Sequence, residues 1–317
     1  RDAILTAGEL RYGKKYTDLI WAAFAERGFG ASASTVDGAD TDPVPGFDVL
    51  DKKQNGRLTL EVVNASAGGP VKGVRVLGGL FEGRATPITT TNAKGLASAP
   101  MAGGSHTLTL QAPGFGIQRL KVTVPKGRSV SRTVKLRPNL LSESSGAKVV
   151  STSSQSDALP ATNAFDDTEA TAWRTEEVDT VYNEGKPATT VVELAKKSVI
   201  DTVNVSVVKP VGMPRFAAAK QVSVQTSMDG KKWKTAQVAT FSFKDPRPTG
   251  ADMMMKTFKL KKKTKANFVR VVPNKVFGDT AAYGNTAIVA EVQAFGKATG
   301  IKPKQPKPDK PVTPQGS

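Results

Sequence analysis

The chain of 317 residues has no cysteine and a single histidine, His106. Without cysteine there is no disulfide, no thiolate nucleophile and no thiolate-bound zinc. An HExxH zinc-peptidase helix needs two histidines on one face, so this chain holds none. A Ser-His-Asp triad would have to use His106. That residue opens the alternating run GGSHTLTLQ and reads as an ordinary turn or surface histidine. No apolar run approaches the roughly 18 residues of a membrane span, and no signal peptide is visible. Aromatics make up only 6 % of residues. They read as core rather than as a stacking platform, and no recognition helix is evident, so specific nucleic-acid binding is not expected. Acidic residues are the minority: 45 Lys+Arg against 28 Asp+Glu leave a net charge of +17. Such a chain is drawn to acidic surfaces such as cell-wall polymer or anionic lipid, although many secreted proteins are simply basic.

At this length two or more domains are expected. Residues 1–30 carry helical punctuation. Thr17 is placed as an N-cap, Asp18 stands in the first turn, and Ile20, Ala23, Phe24 and Arg27 follow the helical period, with Trp21 beside them. Gly13 and Gly28 stand where left-handed C-caps are wanted. Two such helices cannot bury a core alone, and Trp21 and Phe24 have no obvious partner downstream. Residues 31–55 are polar, rich in aspartate and free of period, and read as a linker. Residues 56–138 alternate with period two, and their turn signals separate seven short strands, the pattern of a β-sandwich. A Ser-rich joint at 139–146 precedes a second strand-rich domain over 147–296. Residues 297–317 form a basic, proline-rich tail expected to be extended.

Three stretches resemble known families. Arg1 to Leu5, Tyr12-Gly13, Trp21, Phe24-Ala25, Arg27-Gly28 and Gly30 fall in the order of the C-terminal end of the catalytic region of fungalysin zinc metallopeptidases. The resemblance covers about a tenth of the chain. It implies a remnant of an extracellular endopeptidase whose zinc, zinc ligands and catalytic Glu lie upstream, so no catalytic residue is carried over. The run GPVKGVRV…TTTNAKGLASAPMAGGSHTLTLQAPGF, with Thr91 and Gly95 in its turn and Gly114-Phe115 at its end, resembles the carboxypeptidase-regulatory-like, transthyretin-like module. Such modules serve as spacers.

The third resemblance covers about 150 residues. Ala164, Phe165, Asp166, Thr171 and Trp173 match the entry loop of the discoidin, or coagulation factor V/VIII type C, galactose-binding-like family. Asp167 stands where the family has glycine. Ser227, Asp229, Gly230 and Trp233 match its hairpin, FVRVVPN its central strand and AEVQAFG its closing strand. Calcium takes six to eight oxygens from carboxylates, hydroxyls and carbonyls. Asp166 and Thr171 supply two such groups, and Asn163 and Thr168 offer carbonyls. In the family the closing strand returns beside this loop, bringing Ala290 and Glu291. The resemblance therefore implies a structural calcium site, against the plainer reading of a hydrogen-bonded turn. Ligands of the family bind through loops at one end of the barrel. The candidate contacts here are Arg215, Phe216, Arg247, Met253, Met254, Phe277 and Tyr283, while Trp173 and Trp233 read as core.

These readings combine into a mainly β chain: a short helical hairpin, a transthyretin-like sandwich, then a discoidin jelly-roll-like sandwich, both antiparallel. The expected role is the C-terminal accessory region of a secreted zinc metalloendopeptidase, inactive alone. Its β-domains would tether the enzyme to extracellular glycan, cell-wall polymer, another anionic surface or its protein substrates. The competing reading is a non-enzymatic carbohydrate-binding or adhesion protein, and a third is a pure spacer.

Overall fold

The structure is a computed structural model that describes residues 1–41, 43–80, 86–176, 182, 185–209, 213, 215–242, 254–278 and 285–298. The chain forms two compact units. One comprises Arg1–Asn139 with Asp166–Thr171, the other Leu140–Phe165 with Ala172–Ser317.

The first unit opens with helices α1 (Asp2–Tyr12) and α2 (Thr17–Glu26), joined by a 3-10 turn over Gly13–Tyr16. That turn carries helical backbone straight into Thr17, which is therefore not the N-cap. Tyr16 holds that place without a side-chain bond, and the Thr17 hydroxyl donates to Glu9 at 3.3 Å. Gly28, at φ 83°, closes α2 as expected. Its N–H bonds Ala25 O while Phe29 N–H bonds Phe24 O, the paired bonds of a Schellman ending. The expectation that these helices lack a downstream partner holds only in part. Trp21 and Ala25 pack with Val49 and Ala102 in a small apolar cluster. Yet Ile4, Leu10 and Leu19 stay exposed, Leu10 at 84 %.

Strands β1 (Asn55–Asn64), β2 (Arg75–Gly78), β3 (Thr89–Thr90), β4 (Leu96–Ala102), β5 (Gly104–Gln111), β6 (Gln118–Val124) and β7 (Ser129–Leu136) follow. They make one sheet of order β4-β1-β7 and one of order β3-β2-β5-β6. The alternation in RLTLEVV turns Leu58, Leu60 and Val62 inward, where they meet Leu108, Leu110, Val122 and Val124 in one core. Each such side chain contributes about 1.5–3 kcal/mol by leaving water. All pairings are antiparallel except β1 with β7, which is parallel.

The second unit is a jelly-roll-like sandwich. Its strands are β8 (Lys148–Thr152), β9 (Trp173–Arg174), β10 (Thr190–Ser206), β11 (Ala219–Ser227), β12 (Lys234–Thr240), β13 (Lys256–Val276), β14 (Ile288–Val289) and β15 (Glu291–Ala298). The main sheet runs β12-β11-β13-β10-β15, with β8 also on β10, and β14 pairs with β9. Sequence patterning divides KTFKL from FVRVV and TTVVEL from DTVNVSVV. The structure joins each pair into a single strand. The polar stretches between them are absorbed as register shifts, at Glu193/Ser198 and Ile200/Thr202, rather than as turns.

Candidate functional site

The loop expected to hold an ion divides between the units. Asp166, Thr168 and Thr171 belong to the first, and Asn163, Ala290 and Glu291 to the second. The Asp166 carboxylate accepts the Thr171 hydroxyl at 2.7 Å and the Thr168 N–H at 3.3 Å. The Thr168 hydroxyl in turn accepts Ala170 N–H at 3.1 Å. The turn is thus closed by its own side chains. Burial pushes the Asp166 carboxyl up to about 6, against the opposing pull of the Thr171 hydroxyl. Asn163 donates its amide to Ala172 O at 3.2 Å. Ala290 N–H bonds Ser206 O. Glu291 is fully buried, and its Oε1 accepts the Gln293 amide at 3.2 Å. The donors on each side are all oxygens, the chemistry that calcium takes. Among the described residues no group of three or more His, Asp or Glu side chains is gathered as a metal site.

Asp167 explains the departure from the family glycine. Its φ of 66° is the left-handed geometry that a glycine would adopt. The aspartate tolerates that geometry and uses its carboxylate as an anchor inside the first unit. Oδ2 accepts Gly114 N–H at 2.7 Å and Oδ1 accepts the Asn139 amide at 2.9 Å, while the Asp167 carbonyl accepts from Gln111 at 3.1 Å. Two residues on, the buried Glu169 pairs with Arg119, which also donates to Leu80 O at 2.7 Å. Sequence reasoning flagged Asp167 only as a departure from the glycine of the resembled family. Its partners lie more than fifty positions upstream for Gly114 and Gln111, beyond the reach of local pattern.

Of the candidate ligand contacts, Phe216 sits exposed in a short 3-10 turn (Arg215–Ala217). Its carbonyl accepts Gly278 N–H at 2.8 Å. Phe277 turns against the core of the second unit and is half-buried. Met254 is buried at the entry to β13 and does not stand among exposed ligand contacts. Arg247, Met253 and Tyr283 lie outside the described residues, and for Arg215 only the backbone is described. Trp173 is fully buried and donates Nε1–H to Ser154 O at 3.0 Å. Trp233 is not in the core. It lies half-buried under the Arg270 guanidinium, 4.5 Å from the ring centre. Arg270 also donates to Gln225 at 2.7 Å. His106 lies on β5 and donates a ring N–H to Ala102 O at 2.7 Å.

Residues 148–292 match the family model of the F5/8 type C domain. No curated protein matches the chain. Among solved structures, it is similar to a CBM32 module, CBM32-3, from a family 31 glycoside hydrolase of Clostridium perfringens. The two are 20 % identical over 48 % of this chain and 91 % of that one, with a TM-score of 0.39. It is also similar to CpGH89CBM32-5 of C. perfringens, solved in complex with GalNAc-β-1,3-galactose, at 21 % identity over 47 % and 95 % with a TM-score of 0.35. A third is the family 32 module of C. perfringens NanJ in complex with galactose, at 15 % identity over 47 % and 93 % with a TM-score of 0.36. No helix among the described residues is long and apolar enough to cross a membrane, which says nothing of β-barrels. Residues 148–292 thus carry an F5/8 type C, or discoidin, domain match.

Proposed function

We propose that this chain is a non-catalytic, secreted accessory region whose second β-domain binds carbohydrate. The observation that carries the reading is the F5/8 type C domain at 148–292. At its loop end the exposed Phe216 ring is the described side chain suited to stack on a sugar face. The test is glycan-array and calorimetric binding with the full chain. Galactose and GalNAc-β-1,3-galactose serve as first probes, and Phe216→Ala is the variant. Sugar binding that weakens in the variant supports the reading. Absence of binding to every glycan tried overturns it in favour of a spacer.

The finer reading makes this the trailer of a fungalysin-like zinc metalloendopeptidase, with the transthyretin-like first unit as spacer. It is favoured by the exposed apolar side chains Ile4 and Leu10 on α1 and Leu19 on α2, which lack cover among the described residues. Sequencing the coding region ahead of Arg1 tests it. An HExxH helix supports the peptidase, and its absence supports an adhesion protein.

A structural calcium ion held at the turn by Asp166, Thr171 and the Thr168 carbonyl belongs to the same proposal. Asp167 is not part of that set, since its carboxylate is taken up by Gly114 and Asn139. Saturating calcium is then expected to add a few kcal/mol to stability. The measurement is thermal unfolding with calcium and with chelator. An unchanged midpoint rejects the ion.

A further inference from the structure

β13 (Lys256–Val276) contains no acidic residue, and five of the seven positions from 259 to 265 are lysine. Lys259, Lys261, Lys262, Lys263 and Lys265 are all exposed. None of them forms an ion pair among the described residues. The ladder between β11 and β13 ends at Ser227↔Phe268, so residues 256–266 have no ladder partner on that side among the described residues. On the other side Val199 of β10 pairs with Lys265, and Val199 also pairs with Lys297 of β15. Cross-strand partners share a face. Lys265 and Lys297 therefore flank Val199 on one face, two strand spacings or about 10 Å apart. Between Ile200 and Thr202, β10 offers only Asp201, whereas β13 has Leu260–Lys263 between Thr264 and Lys259. This widened bulge carries Lys261, Lys262 and Lys263 in succession. Asp201 is the acidic side chain opposite them, and its Oδ1 accepts the Thr202 hydroxyl at 2.6 Å.

We propose that this lysine row, continued across the sheet by Lys297, is a binding strip for a linear anionic polysaccharide, separate from the loop end assigned to neutral sugar. Crowding like charges costs free energy that a polyanion recovers and that bulk salt recovers only in part. Lys259 to Lys265 lie along a single strand, which suits a line of charges rather than a plane. No large apolar side chain in 256–265 is exposed to enter a bilayer: the apolar residues there, Phe258 and Leu260, pack against the core. The same packing removes an aromatic face for base stacking. Lysine, a compact point charge, responds to charge density rather than to the fork geometry that arginine reads on phosphate. The competing role is edge protection, since exposed lysines on an unpaired strand block edge-to-edge association. A glutamate guards an edge as well as a lysine does. The variant K261E/K263E/K265E therefore separates the two roles.

The experiment measures binding of the full chain to polygalacturonate and to a sulfated polysaccharide, with a neutral polysaccharide, duplex DNA and vesicles containing phosphatidylserine as comparisons. Binding to the two anionic polysaccharides is expected to fall steeply as salt rises from about 50 to 500 mM. The triple variant is expected to lose at least about tenfold in that affinity. It should keep the oligomeric state of the parent, with its thermal midpoint and its response to galactose probes unchanged. Equal binding by variant and parent overturns the strip, as does DNA or vesicle binding tighter than that of either polysaccharide. Failure of galactose binding alone leaves the strip standing and removes only the neutral-sugar reading.

Discussion

The acidic turn at 166–171 and the basic row at 259–265 spend their charges in opposite ways. In the turn, Asp166, Asp167 and Glu169 are drawn inward, and each carboxylate meets donors: the Thr171 hydroxyl, the Gly114 N–H with the Asn139 amide, and the Arg119 guanidinium. In the row, lysine follows lysine in solvent with no acid on its own strand. Burial makes an unpaired charge costly, so charges that go inside are committed to the fold. Charges left outside cost little and remain available to a partner. The same sequence therefore carries a structural set of acids and an uncommitted set of bases.

Removing a member of the committed set is expected to hurt most. Asp167→Ala deletes two charge-assisted bonds and puts a Cβ without side-chain compensation at φ 66°. A loss of about 3 kcal/mol or more is expected in denaturant unfolding. Asp167→Gly keeps the backbone geometry and should lose less. If the two variants are equally damaged, the backbone contribution is negligible. Next comes the frame under the basic row. Gly296 lies against Val199, and an added Cβ would overlap the Val199 carbonyl. Gly296→Ala is expected to cost about 2 kcal/mol through backbone displacement, read as a lowered thermal midpoint.

Smaller effects follow from protonation. The folded Asp166 carboxyl titrates near 6, above its ordinary 3.8. Its contribution to stability is therefore fully present below about 4 and is lost as pH rises through 6. After allowance for solvent screening, the change is on the order of 1 kcal/mol. Asp166→Asn should flatten the stability profile between those limits, and an unchanged slope would show that another group titrates there. Charge reversal in the basic row is expected to alter stability by less than about 0.5 kcal/mol. A larger loss would move those lysines into the committed class. Smallest of all is Asp229, an exposed carboxyl lowered to about 2 by the N–H groups of Lys232 and Lys231 and by the Ser227 hydroxyl. Its contribution is present above 3.8 and fades as pH falls toward 2. An NMR titration should find its midpoint well below the ordinary aspartate value.

Much of the architecture is readable along the chain. Period-two runs such as RLTLEVV and HTLTLQA are strands because alternate residues must face the core. The tryptophan of the entry loop, Trp173, is core as its motif implies. In the candidate ion loop, the five-residue spacing of Asp166 and Thr171 closes a single turn. Less of the ligand-facing side was legible. Trp233 follows its hairpin motif but lies under Arg270, thirty-seven positions away, a pairing that depends on how β13 lies beside β11. Phe277 and Met254 look alike in sequence as apolar loop residues, and both turn inward.

Local sequence determined by itself the strands, the Schellman end of α2 and the F5/8 type C signature, because alternation, turn chemistry and short motifs act within a few residues. The tertiary structure decided the rest. It gave Asp167 its anchors, laid Trp21 against Ala102, joined split patterns into the long strands β10 and β13, and set Lys265 and Lys297 on either side of Val199. Each of these joins residues tens of positions apart. Such partners are chosen by sheet order and register, which no single segment encodes.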